Sequence, residues 1–203
     1  MRFLLLLSLN ICLLLGVEST PVQVLACVDE CLHVQGTVGG APIIIRIELS
    51  YLDTAEARRT ANLLYESRSL PEDRPSAQIL SGEIKRQVPP GSWVILYADQ
   101  PELFWSCLVY PLGDIDPSTW ERPISLPPSL QETLIRSGHS PYWRYLSRAG
   151  NAHLALLSAE AEARQNQIGL WASNQASMES ISAARATKEQ ELFDLDENRK
   201  KHP

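Results

Sequence analysis

Asp53 and Glu56, in the stretch LDTAE of residues 52–56, are the pair whose types and spacing best suit chemistry. The apolar run APIIIRIEL just before them reads as a strand. Two carboxylates at the mouth of a strand could hold a hard cation and activate water. The same spacing also suits the start of a helix. Asp53 would then cap TAEARRTANLL, with Glu56 at the third helical position completing a capping box. The rest of the chain has to decide between the two roles.

A second stretch, HSPYWRYL, interleaves Tyr142 and Tyr145 with Arg144 and Arg148. Such a series could stack bases and meet phosphates. It could equally close a core, and for Trp143 the core reading is preferred. The other candidate ligands are scattered. His33, His139, His153 and His202 show no zinc-type spacing. Of the 4 cysteines, Cys12 lies in the leader described below, leaving Cys27, Cys31 and Cys107. The expectation is a bridge from Cys27 or Cys31 to Cys107, or none. Residues four apart on an extended segment are too far apart to be joined.

The elements that must position these residues follow from periodicity. VQVLACV, CLHVQGTV and APIIIRIEL are rich in β-branched residues, with Gly39-Gly40 as a hairpin turn. AEARRTANLLYESRSL and SAQILSGEIKRQV have helical spacing, the latter with Ser76 as N-cap. SWVILYAD and LFWSCLVYPL read as two further strands. PSLQETLIRSG reads as a helix stopped by Gly138, and AHLALLSAEAEARQNQIGLW as a longer one with Leu154, Leu157, Ala161 and Ile168 on its buried face.

Five strands in a 3 + 2 order, with helices between the third and fourth and after the fifth, suit an α+β fold. The expected form is a small Greek-key barrel of the oligonucleotide/oligosaccharide-binding (OB-fold) type with C-terminal helices, with an unrelated α+β sandwich as the alternative. Antiparallel pairing throughout is expected, with Val94, Leu96, Leu108 and Trp171 buried and Asp53 at the end of the third strand.

Residues 1–20 stand apart. Arg2 precedes an apolar run from Phe3 to Leu15, too short for a comfortable membrane span and suited to a secretory signal peptide, with an uncleaved N-terminal anchor as the alternative. The expected organisation is a leader at 1–20, a barrel domain at 21–173 and a flexible or helical tail at 174–203. The protein is then secreted or periplasmic, with no membrane span after the leader. A net charge of −6 argues against a surface that attracts nucleic acid all over, leaving room for a local basic cleft.

The order of elements and several phrases resemble the thermonuclease family of staphylococcal-nuclease-like domains. LLSAEAEARQNQIGLWA is similar to that family's closing helix, LQETLIRSGHSPYW to the helix before it, PPGSWVILYADQ to its fourth strand, and LDTAE stands where the family has Asp-Thr-Pro-Glu. The resemblance spans residues 22–173. It implies calcium-assisted phosphodiester hydrolysis, with Asp53 as a metal ligand, Glu56 as general base, a second metal-ligand Asp and two arginines that stabilise the transition state.

The matching positions depart from that set. Cys31 stands at the second metal-ligand position, two residues after Asp29 in VDECL, and a thiol is a poor calcium ligand. Glu48 stands where the first arginine belongs, with Arg46 two residues back and roughly 6–7 Å away along the strand. Leu103 replaces the second arginine, and no Arg or Lys lies between Arg86 and Arg122. The leading expectation is a catalytically degenerate nuclease-like module that binds single-stranded nucleic acid or a protein and needs no cofactor. The alternative is an active calcium-dependent nuclease using Asp29, Asp53, Glu56, Arg46 and one of Arg58 or Arg59. A structural exported protein whose tail recruits a partner is the third reading.

Overall fold

The computed structural model describes residues 20–38, 41–54, 77–97, 106–121, 126–143, 153–183, 186–187 and 190. Strands β1 (Val22–Val28), β2 (Cys31–Val38), β3 (Ala41–Leu49), β4 (Trp93–Tyr97) and β5 (Ser106–Pro111) close into a barrel in the order β1-β2-β3-β5-β4. The OB-type barrel expectation fits this order, and Val94, Leu96, Leu108 and Trp171 are all buried. The core joins both sheet faces to the helices through Val24, Leu32, Val34, Leu49, Leu80, Leu108 and Leu134.

Pairing is not antiparallel throughout. β3 and β5 run parallel, with Glu48 opposite Ser106 and Leu49 opposite Cys107. Closure itself requires this. Strand directions cannot alternate around a ring with an odd number of members, so at least one neighbouring pair in a five-stranded barrel must be parallel.

β1 and β2 form a hairpin in which Val28 faces Cys31. Only Asp29 and Glu30 lie between them, with φ of 48° and 65°. Two successive left-handed residues are what a two-residue type I′ turn demands, a place usually given to Asn-Gly. The extended segment expected between Cys27 and Cys31 is therefore replaced by a tight turn. Cys27 pairs with Leu32 and Cys31 with Val28, so the two side chains leave opposite faces of the hairpin. None of Cys27, Cys31 and Cys107 forms a disulfide, and all three are buried. Burial pushes the Cys107 thiol up to about 12. It also raises Cys27, against the opposing pull of Lys85. Since only the thiolate is a good nucleophile, the native protein should react with a thiol reagent no faster than it opens. Cys27, Cys31 and Cys107 should become reactive together on unfolding. A fast-reacting thiol in the native state would contradict this packing.

α1 (Ala77–Gln87) buries Leu80 and Ile84. On its outer side Arg86 donates to Glu83 through Nε at 2.9 Å, and Gln87 Nε2 donates at 3.0 Å. The Arg86 hydrogen bond, helped by Gln87, holds the Glu83 carboxyl below its ordinary 4.5, at about 2. A depressed carboxyl stabilises the fold above its unfolded pKa and loses that effect as pH falls through the folded one. The Arg86 side chain is 70% exposed, so solvent screens the pair. We expect Glu83→Gln to destabilise by only about 0.5–1 kcal/mol at neutral pH. The difference from wild type should shrink below pH 4.5 and close near pH 2 in acid-unfolding curves. A difference that persisted at pH 2 would show another origin.

α2 (Leu130–Arg136) starts at Ser129, whose Oγ accepts from the Glu132 N–H. It ends in a Schellman motif: Gly138 has φ of 67°, its N–H donates to Ile135 O, and the His139 N–H donates to Leu134 O. In its first turn Gln131 is fully buried and serves the barrel. Its Nε2 donates to Cys107 O at 2.6 Å and its Oε1 accepts from the Val109 N–H at 3.0 Å. Among the described residues β5 pairs with β3 at 106 and 107, the Ser50 N–H bonds Cys107 O at 3.2 Å, and the Gln131 amide extends that edge to Val109.

α3 (His153–Gln165) does not bury the face expected of it. Leu156, Ala159, Glu160 and Ala163 point inward, while Leu154 is 76% exposed and Ala161 is also exposed. Leu157 is only partly buried and Ile168 lies beyond the helix end. The true stripe keeps the i, i+3, i+4, i+7 rule but contains an acid, which a purely apolar search rejects.

After α4 (Leu170–Ser173), residues 175–183 are helical and bury Met178 and Ile181. Arg164 ties this segment down. It lies 5.6 Å from the Trp171 ring and donates to Glu179 at 3.3 Å. The tail expected to be flexible or helical from residue 174 is thus helical and packed over 175–183.

Candidate functional site

The two stretches that carried the chemical argument, LDTAE and HSPYW, meet at one end of the barrel. After β3 the chain turns at Ser50 and Tyr51, the latter with φ of 67°, and Leu52 then bridges to Tyr142. The Trp143 N–H donates to Tyr51 O at 2.8 Å, and the Asp53 N–H to Ser140 Oγ at 3.1 Å. Ser140 in turn donates to Pro141 O at 3.0 Å. Asp53 therefore lies past this turn, four residues beyond the last residue of β3, in non-helical backbone. Thr54 follows it, also non-helical. The helix that Asp53 would cap, and Glu56 with it, lie outside the described residues.

The hairpin turn and the end of β3 share this pole. Leu32 pairs with Ile47 facing the core, and Cys31 and Glu48, each one residue nearer this pole, turn to the opposite face. Both are buried, with Glu48 2% and Cys31 0% exposed. Glu30 and Asp53 are buried as well. Arg46 shares the face of Glu48 but is exposed, opposite His33. The positions expected to carry a metal-ligand Asp and an arginine thus hold a buried thiol and a buried carboxylate, and the nearest arginine on the strand turns to solvent.

Calcium wants six to eight oxygens converging on one point. Asp29 is exposed on the hairpin turn, whereas Asp53 is 0% exposed. Among the described residues no group of three or more His, Cys, Asp or Glu side chains could hold a metal ion. The described donor set does not fit calcium.

Tyr142 is a core residue and not a stacking platform. Its ring is 0% exposed, stacks on Tyr51 with centroids 6.0 Å apart, and places its hydroxyl 2.6 Å from His153 Nδ1. Its N–H donates to Glu160 Oε1 at 2.9 Å. No ring face is left for a base. Trp143 is buried too, as preferred from the sequence. Arg144, Tyr145, Arg148, Arg58, Arg59 and Leu103 lie outside the described residues.

Sequence reasoning missed Ser140, His153 and Glu160, which fix the LDTAE–HSPYW junction. Only Glu160 carried a readable signal, its register with Leu156, Ala159 and Ala163. Among the described residues, no helix is long and apolar enough to cross a membrane. No family model matches the sequence, and no curated protein matches it.

Proposed function

We propose that this chain is an exported, staphylococcal-nuclease-like barrel that does not hydrolyse phosphodiesters and serves as a binding or interaction module. The observation that carries this reading is the burial of both Glu48 and Cys31 at the pole where hydrolysis by this family's route would need an arginine and an aspartate. Charge that develops on phosphoryl oxygens has to be met by cations placed in advance, and a buried carboxylate there opposes it. Losing one such donor commonly lowers the rate by a factor of about 10² to 10³. Here two positions have changed in the described pole, and Leu103 removes a third in the sequence. The apolar run before residue 16 supports delivery to a secreted or periplasmic location.

The test is turnover of single-stranded DNA or RNA by the leader-free protein with calcium and then with chelator, beside an Asp53→Asn, Glu56→Gln double variant. We expect trace rates at most, equal in the two proteins. Robust calcium-dependent hydrolysis lost in the double variant would establish the active nuclease, with Asp29, Asp53, Glu56, Arg46 and Arg58 or Arg59 as its machinery. Retention of the nucleic acid without cleavage would identify single-stranded nucleic acid as the ligand. Its absence would leave a protein partner.

A further inference from the structure

We draw no further inference here: the strongest candidate, the buried carboxylates Glu30, Glu48 and Asp53 at the barrel pole formed by the β1–β2 turn and the end of β3, belongs to the site already described and has beside it no second observation that points to a ligand.

Discussion

Replacing Gly138 by alanine should destabilise the fold by about 2–5 kcal/mol, the sum of left-handed strain and a steric conflict. Gly138 ends α2 with φ of 67°, a conformation that a Cβ disfavours. An added Cβ would also fall 2.2 Å from Ile168 O and 2.8 Å from Ile168 C. These are backbone atoms, so no side chain can swing away. They are held in place because the Leu170 N–H donates to Gly138 O at 3.0 Å. The approach is mutual: a Cβ on Gly169 would meet Ser137 O at 2.5 Å. Gly113 provides the control. It has φ of 58°, but nothing lies within 4 Å of its added Cβ. Gly113→Ala should therefore show the strain alone, about 1–2 kcal/mol. Urea midpoints decide the matter, and equal losses in the two variants would refute the close contact between α2 and the 168–170 turn.

Gln131→Leu is expected to cost about 1–3 kcal/mol despite its similar size and greater hydrophobicity. The variant leaves the Val109 N–H buried with its Gln131 bond removed, whereas the Cys107 carbonyl keeps its bond from the Ser50 N–H at 3.2 Å. Gln131→Glu separates donor from acceptor. A carboxylate still accepts from Val109 but turns a lone pair toward Cys107 O, so only its protonated form restores both bonds. That raises the folded-state pKa of the introduced carboxyl above the unfolded one. Relative stability should then improve as pH falls through the raised value, the reverse of the Glu83 behaviour. Denaturant unfolding of both variants at neutral and mildly acid pH reads this directly. A Gln131→Leu protein as stable as wild type would show that the amide does not support the edge of β5.

The strands show how much periodicity can carry. VQVLACV, CLHVQGTV and APIIIRIEL coincide with β1, β2 and β3, because β-branched runs bounded by turn residues have few alternatives. The parallel closure was equally implicit, since five strands in a ring permit nothing else, but it follows from counting and not from any local phrase. α3 was placed correctly and rotated wrongly. Leu154 and Ala161 look apolar in isolation, yet the barrel takes the face with Glu160 because the Tyr142 N–H is there to meet the acid. The turn between Cys27 and Cys31 was missed for a related reason: Asp29 tolerates the left-handed region, but Glu30 does not favour it, so the pair lacks the usual Asn-Gly signal.

The sequence by itself determined the residue types. Cys31, Glu48 and Leu103 stand at the positions where the resemblance to thermonucleases would place an aspartate and two arginines, and those identities hold wherever the chain folds. Only the tertiary structure decided which groups meet, and how deeply. The β2–β3 ladder brings the Glu48 and Cys31 positions to one pole, and Tyr142 is engaged by Tyr51, His153 and Glu160 from other elements. Burial is a property of such long-range neighbours. An aromatic residue between arginines therefore reads as a binding surface in the sequence and as core once the residues that cover it are in place.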